Sequence, residues 1–470
     1  MKKKAYLIGI KGVAMTAMAV YLKEKGFKVT GSDVAETFFT DRMLAEAGIS
    51  HKLGFSKENI TEKYDAVIVT GAHGGMSNPE AVQAKKIGLP VSMHGRYIGS
   101  VMSGYQGISV AGCHGKTTTS SMIAMILSSA NLDPSYAIGT AYINGLGAAG
   151  HAGRGKFFVA EADEYMTCPV TDPTPRFFWQ KPSLAVITNI EFDHPDAYRN
   201  LEEVKAAYFQ FALNTLENGD HLVACQDDAE SSELLQKIKH TKIATYGFSP
   251  RADFRIKKYH ISEGVSFMTV EVKGEEIGEF MVKVPGRHNL LNALAAMTAC
   301  NLVANLSWAQ IKEGLKKYTG GNRRMEKIYE KDRISLYDDY AHHPTEITAT
   351  LNSVRDWYRN RRIIVIFQPH TYSRTKKLLE PFAQALTLAD VSAVAEIFPS
   401  AREKADPSVS SSLLVEAVKR LDGKAVLVRS KAEVLNYVKQ TVRQGDILMT
   451  VGAGNLYRWH ADLITILAEL

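Results

Sequence analysis

The chain has 470 residues, 45% of them hydrophobic and 23% charged, a composition that excludes a mainly disordered protein. That length exceeds one comfortable core and predicts two to four domains. The net charge is +6, but Lys and Arg are spread along the chain apart from the Met1-Lys2-Lys3-Lys4 start, so anionic small substrates account for the charge better than a nucleic-acid partner does.

Residues 1–103 alternate strands and helices. "KAYLIGI" reads as an apolar strand, "GVAMTAMAVYLKEKG" has helical spacing, and "FKVTGSD" and "YDAVIVTGA" are further strands, a βαβ pattern that implies a parallel sheet. The loop after the first strand, Gly9-Ile10-Lys11-Gly12-Val13-Ala14, matches a G-x-G-x-x-G fingerprint weakly, because Lys11 and Ala14 stand where glycines belong. Gly9 and Gly12 still permit a tight turn that brings backbone amides to a phosphate, and Asp33 ends the next strand about where an acid meets a ribose hydroxyl. A plain βα turn reads equally well, and bound NAD is less expected than a nucleotide sugar.

Residues 104–321 open with the strand "GISVAG" and the loop Gly112-Cys113-His114-Gly115-Lys116-Thr117-Thr118. It is a variant Walker A loop, since Val110 replaces the first glycine. Strand before, helix after and GKT between still predict ATP binding: amides cradle the phosphates, Lys116 reaches the β and γ oxygens, and Thr117 offers a hydroxyl to Mg²⁺. Mg²⁺ takes oxygen ligands, so a carboxylate from a neighbouring strand is expected. Glu161 ends "KFFVAEADE" with Asp163 and Glu164 just behind, and His194 follows "SLAVITNIEFDHPD" among Glu191, Asp193 and Asp196. Residues 252–286 alternate like an antiparallel insertion, and "HNLLNALAAMTACNLV" is helix-like.

Residues 322–470 read again as α/β, with strands in "SLYDDY", "RIIVIFQP", "VSAVAEIF", "KAVLVRS" and "DILMTVGAG". Three α/β domains result, with a hinge at "YTGGNRR" whose Gly320 and Gly321 allow the third to close on the second. No apolar run approaches the ~20 residues of a bilayer span, and the chain starts directly on a strand, so a cytoplasmic protein without membrane partner or signal peptide is expected. The four cysteines, Cys113, Cys168, Cys225 and Cys300, form no CxxC pair, which fits free thiols; Cys113 is either a small buried side chain or a redox group.

In order, "AGCHGKTTTSSM", "EADE", "TNIEFDHPD", "PGRHNLLNALAA" and "NRRME" resemble the central ATPase domain of the Mur ligases of peptidoglycan synthesis. The first segment, with "DDYAHHPTEITATL", "FQPHTYSRT", "IFPSAREKADPSVSS" and "GDILMTVGAGNLY", extends the resemblance over the whole chain, toward the branch that joins L-alanine to UDP-N-acetylmuramate. It implies a Rossmann-like UDP-binding domain (1–103), a central P-loop ATPase domain (104–321) and a Rossmann-like C-terminal domain (322–470). It implies ATP and Mg²⁺, an acyl phosphate formed on the lactyl carboxylate, and attack by the amine of alanine. Catalytic roles fall by similarity on Lys116, His194, Arg324 and Arg374. The metal falls to Thr117, Glu161 and His194, and the nucleotide to the loop residues with His288, Asn289, Asp338 and Asp339. Substrates fall to Gly9, Lys11, Gly12, Asp33, Tyr340, His342, His343, His370 and Arg374, the last by a bidentate grip on the alanine carboxylate. A helix-start cap before Pro344 is the other reading of His342-His343.

Three departures bear on substrate choice. Lys11 and Ala14 alter the first loop, Lys11 adding a positive charge for the diphosphate or changing the site. The stretch "DEYMTCPVTDPTPRFFWQ", with "FDHPD" after it, is more similar to the recycling ligase that attaches a whole tripeptide, and it sits where an acceptor can be sensed. Some members carry a carbamylated lysine, for which Lys205 in "NLEEVKAAYFQF" is the nearby candidate; a solvated helix face explains it better. An alanine ligase is therefore the leading expectation, a tripeptide ligase the alternative, and a non-catalytic nucleotide-sugar sensor a reading of another class.

Overall fold

A computed structural model describes residues 2–61, 63–217, 220–262, 265–399, 403 and 405–470; residues 400–402 and 404 of the "IFPSAREKADPSVSS" motif lie outside that set. The N-terminal sheet has strands β1 (Lys4–Ile8), β2 (Lys28–Asp33), β3 (His51–Leu53), β4 (Ala66–Val69) and β5 (Val91–Met93), all parallel in the order 3-2-1-4-5. β4 is AVIV and buried at every position, as a strand covered on both faces must be.

The helix after β1, Val13–Glu24, carries small residues on the face it turns to the second domain. Ala17 shares one apolar cluster with Ala137, Ala141, Phe158 and Ala160, so the first two domains are welded through a common core rather than strung on a linker. The approach is close enough that a Cβ on Gly150 would lie 1.9 Å from the Ala17 carbonyl oxygen.

The central sheet holds β6 (Gln106–Ala111), β7 (Ser135–Ile143), β8 (Gly147–His151) and β9 (Phe157–Ala162). After a separate hairpin of β10 (Met166–Cys168) and β11 (Asp172–Pro175), it continues with β12 (Leu184–Ile187), β13 (His221–Cys225), β14 (Ile243–Gly247), β15 (Phe254–Ser262), β16 (Val265–Val272) and β17 (Glu275–Val282). The order is 17-16-15-14-13-12-6-9-7-8: a parallel centre with antiparallel β15–β17 at one edge, as the alternation predicts, and β8 at the other. Helices Lys116–Ser129 and Arg287–Ala304 cover one face and Leu201–Glu217 the other.

The C-terminal sheet contains β18 (Glu326–Lys331), β19 (Ile334–Asp339), β20 (Ile363–Phe367), β21 (Val391–Ala395), β22 (Ala425–Val428) and β23 (Ile447–Val451). Its order is 18-19-23-20-21-22, parallel except for β18. Residues at or just after the carboxyl ends of β6, β12 and β19 line one cleft, where open α/β sheets bind ligands. Gly320, with φ +101°, and Gly321 carry the chain between the second and third sheets, and Gly321 bridges to Ile143 at the end of β7.

The stretch 165–180, expected to sense an acceptor, is an interdomain clamp. Arg96 of helix His94–Met102 donates to Asp172 at 2.9 Å and lies over the Trp179 ring, 3.7 Å from its centroid. Gly99 lets the two domains touch, since a Cβ there would stand 2.0 Å from the Trp179 carbonyl oxygen. Among the described residues, no helix is long and apolar enough to cross a membrane.

Candidate active site

β6 delivers the loop 112–115, and the polar end of β12 pins it. The Thr188 hydroxyl donates to the His114 carbonyl at 2.6 Å, and the His114 amide donates to the Asn189 side chain at 2.9 Å. Gly112 has φ +136°, and a Cβ on it would meet Thr188 Oγ1 at 1.9 Å, so glycine alone satisfies both the backbone and the contact. Helix Lys116–Ser129 follows with its first-turn amides directed into a cavity of about 170 Å³. Lys116 curls over its own loop: Nζ donates to the Gly112 carbonyl at 2.5 Å and to Glu164 Oε2 at 3.1 Å. Burial disfavours the ammonium, but Glu164 and Asp163 outweigh that and hold its pKa above the ordinary value.

The cavity is shared with the C-terminal domain. His114, Gly115, Thr117, Thr118, His288, Asn289, Arg324 and Asp339, all expected at the nucleotide, line it. Arg324 crosses from the third domain, its Nη2 donating to the Thr117 hydroxyl at 3.2 Å. Burial raises the Asp339 carboxyl to about 6, partly offset by Arg324 and by the Ala341 and Met325 amides that it accepts. Burial lowers His288 to about 4, which keeps it neutral.

Glu191 and Glu346, to which the motifs assign no role, set the charge of His114. Burial would make His114 neutral, but these carboxylates flank its ring at 3.4 and 3.3 Å and hold its pKa at about 10. The imidazolium thereby bridges the phosphate loop to the third domain. Glu346 is the third residue of a helix, and nothing in its spacing marks it as facing the phosphate loop until the domains are packed.

Beyond Lys116 lies a second group. Asp163, Glu164 and His194 bring one ligand atom each to within 4.8 Å of one another. Asp163 is held below the carboxylate range: burial opposes ionisation, and Arg176, Lys116 and His194 prevail. Glu164 Oε1 is buried without a hydrogen-bond partner among the described residues. Glu161, the carboxylate expected at the metal, is outside this group and accepts the Gly139 amide at 2.7 Å. Arg374 reaches across from the third domain and is paired with Asp193, Nε at 3.0 Å and Nη2 at 2.9 Å. His370 lies 3.5 Å from the Arg374 guanidinium, and His342 is near it, 6.2 Å between rings. Burial lowers His342 to about 4. Tyr340 lies under Arg323 and Arg324, 5.0 and 5.2 Å from its centroid.

Several expectations are corrected. Lys11 brings no charge to a diphosphate, because its buried ammonium is bonded to the Val34 and Glu36 carbonyls and sits 3.4 Å from Asp41. Asp33 accepts the Lys11 amide at 2.7 Å and the Val34 amide at 2.8 Å, so its buried carboxylate shapes the loop that Gly9 and Gly12 turn instead of meeting a ribose. Asp338 points away from the cavity toward Arg323 and Thr450, at 2.8 and 2.7 Å. His343 is the cap of helix Pro344–Trp357 in a capping box with Glu346, which is the other reading of the histidine pair. Lys205 lies among Glu202, Glu230 and Glu233 rather than on a solvated face, and is outside the His194 group. Burial pushes the Cys113 thiol up, which opposes a redox role.

The description "Mur ligase family, catalytic domain" matches residues 4–106, "Mur ligase middle domain" residues 110–300, and "Mur ligase, glutamate ligase domain" residues 323–454. A UDP-N-acetylmuramate–L-alanine ligase of Carboxydothermus hydrogenoformans is 40% identical over 451 residues, 96% of this chain and 94% of that one. The crystal structure of a UDP-N-acetylmuramate-alanine ligase from Thermotoga maritima superposes with a TM-score of 0.81 at 27% identity, covering 99% of both chains. A murein peptide ligase from Psychrobacter arcticus has the same fold, with a TM-score of 0.72 at 23% identity over 100% of this chain and 99% of that one.

Proposed function

The chain belongs to the Mur ligase family, and from that premise we propose that it joins L-alanine to the lactyl carboxylate of UDP-N-acetylmuramate, cleaving ATP, in peptidoglycan precursor synthesis. The observation that carries this reading is the assembly of one cleft from two domains. Lys116 of the phosphate loop touches Glu164 of the Asp163–Glu164–His194 group while Arg324 of the third domain reaches Thr117.

In this reading a lactyl oxygen attacks the γ-phosphorus, ADP leaves, the amine nitrogen attacks the acyl carbon, and phosphate leaves. Such chemistry asks the protein for positioning and charge neutralisation rather than for a nucleophile. The amides at the start of helix Lys116–Ser129 and the Lys116 ammonium hold the β- and γ-phosphates. Arg324 adds charge where the phosphoryl group passes, and the cavity residues His288, Asn289 and Asp339 hold the nucleotide. Arg374, steadied by Asp193, orients the amino acid together with His370, His342 and Tyr340. The donor set at Asp163, Glu164 and His194, with its unpartnered carboxylate oxygen, fits a hard divalent cation. Mg²⁺ bound there, with Thr117 at the start of helix Lys116–Ser129 and Glu161 near the end of β9, would supply charge neutralisation for the transferring phosphoryl group.

The tripeptide reading rests on the stretch 165–180 and the "FDHPD" after it; the hairpin of that stretch packs the first domain against the second, and the alanine ligases among the relatives favour alanine. The sensor reading is opposed by the complete set of Lys116, Thr117 and the acid–histidine group. The test is phosphate release from ATP and Mg²⁺ with UDP-N-acetylmuramate, adding L-alanine in one reaction and L-Ala-γ-D-Glu-meso-diaminopimelate in another. Release with alanine is expected; release with the tripeptide alone overturns the reading, and no release with either supports the sensor.

A further inference from the structure

A second group of metal-ligating side chains shares no residue with Asp163, Glu164 and His194. His114, Glu191 and His343 bring one ligand atom each to within 4.8 Å of one another. Two domains supply them: His114 sits in the loop after β6, Glu191 in the polar stretch after β12, and His343 caps helix Pro344–Trp357 of the third domain. Two ligands about 2.0–2.2 Å from a tetrahedral ion stand about 3.3–3.6 Å apart. His114 Nε2 is 3.4 Å from Glu191 Oε2, and His343 Nδ1 is 3.7 Å from the same oxygen. The two imidazole rings lie with centroids 4.8 Å apart and planes 34° from parallel, so the edge between them is the one that shortens as both turn toward a common ion.

Two features point to a ligand. His343 is 6% exposed, and its Nε2 has no hydrogen-bond partner among the described residues, a costly state unless something completes it. Its Nδ1 accepts the Thr345 amide at a long 3.4 Å, so an ion that takes a nitrogen of this ring displaces no strong hydrogen bond. The second feature is Glu346, whose Oε1 stands 3.3 Å from His114 Nδ1. A carboxylate behind the ring, on the nitrogen away from the ion, is the usual support of a metal-bound imidazole. Charge agrees: the carboxylates of Glu191 and Glu346 exceed the His114 imidazolium by one, and a dication in place of its proton brings the sum to zero. Two imidazoles and one carboxylate suit a borderline-soft ion such as Zn²⁺, whereas the group with two carboxylates and one imidazole suits a hard one.

We propose that His114, Glu191 and His343 form an inhibitory site for Zn²⁺ or a similar transition-metal dication, its fourth position open to the nucleotide cavity that His114 and Glu191 line. Each ring and the carboxylate give the ion one lone pair, the proton on His114 Nε2 leaves to solvent, and no other bond changes. An ion there fastens the phosphate loop to the third domain and stands at the edge of the space that ATP needs, so the cleft is held shut with the nucleotide outside. The site goes beyond the ligase reading and does not depend on which acceptor the protein takes.

The test is calorimetric titration of the intact protein with Zn²⁺ in excess Mg²⁺, with the visible absorption of added Co²⁺ as a second reading, since tetrahedral Co²⁺ absorbs far more strongly than octahedral Co²⁺. The variants are His343→Asn, which keeps a residue able to cap the helix, and Glu346→Gln. One Zn²⁺ per chain is expected in excess Mg²⁺, with strong Co²⁺ absorption and a weakened affinity for ATP. Both variants should weaken Zn²⁺ by about tenfold or more, and His343→Asn should also lose the Co²⁺ absorption while its melting temperature in metal-free buffer is kept. Zn²⁺ binding that excess Mg²⁺ abolishes, or that His343→Asn leaves unchanged, places the ion at Asp163, Glu164 and His194 and overturns the assignment. Should His343→Asn fail to fold, Glu346→Gln decides, and an unaltered Zn²⁺ affinity there overturns it as well. The titration uses no acceptor, so its failure leaves the ligase reading standing, and failure of phosphate release with every acceptor leaves the metal site standing.

Discussion

Replacing Arg323 by methionine should lower the melting of the C-terminal domain by about 10 °C, whereas Arg324→Met, one residue further on, should leave melting nearly unchanged and weaken ATP. Arg323 is 4% exposed and its partner Asp338 1%. Its Nε donates to Asp338 at 2.8 Å, Nη1 to the Gly454 carbonyl at 3.1 Å and Nη2 to the Gly452 carbonyl at 2.6 Å, tying the start of the domain to the loop after β23. Without the cation, Asp338 retains the Thr450 hydroxyl and His460, at 2.7 and 3.7 Å.

Unit charges 4 Å apart attract by about 4 kcal/mol at an effective dielectric constant of ~20, and breaking one side of a buried pair costs about 3–5 kcal/mol. For a domain of roughly 150 residues each kcal/mol moves the midpoint by about 2–4 °C, hence the size of the expected shift. Calorimetry of the intact protein reads it, with the double variant Arg323→Met/Asp338→Leu alongside. Removing both charges together should recover most of the loss, because the desolvation cost of the remaining carboxylate disappears with it. A shift under about 3 °C, or a double variant no better than the single one, would refute the assignment of Asp338 to structure.

Lys116→Ala should reduce phosphate release by at least about 10²-fold with an unchanged circular dichroism spectrum; retained turnover would remove the loop from the chemistry. Gly112→Ala places a Cβ 1.9 Å from Thr188 Oγ1 at φ +136°, and a strain of about 1–3 kcal/mol should appear as weakened ATP binding in calorimetric titration. His114, held at about 10 against an ordinary 6.5, contributes its full stabilisation below pH 6.5 and loses it as pH rises through 10. The melting advantage of the native protein over His114→Gln should therefore shrink between pH 6.5 and 10; an advantage that grows would contradict the bridge. All four cysteines are free and buried, so a thiol reagent at pH 8 should label none rapidly in the native protein and four in urea.

Much of the fold was written in local pattern. The βαβ alternation, the strands from "SLYDDY" to "DILMTVGAG" and the antiparallel edge each follow from a period of two or 3.6 that any neighbouring surface must respect. The phosphate loop was legible for the same reason, since its glycines, Lys116 and Thr117 act through backbone conformation within seven residues. The hairpin of β10 and β11 was not, because two short strands around Pro169, Pro173 and Pro175 have no periodicity to show and are ordered by the first domain against them.

Side-chain duties at the seams were decided by packing alone. Lys11, Asp33 and Asp338 are the residue types that bind phosphates, riboses and metals, yet each is hydrogen-bonded to a partner 15 to 25 positions away in the chain. Glu346 and His114 are separated by 232 positions (346 − 114) and meet at 3.3 Å only when the third domain lies on the second. Charge identity is a property of the residue, whereas the pKa and the direction of a charge belong to the cavity around it. For this protein the reaction class could be read from the chain, and the partner of each charge only from the closed cleft.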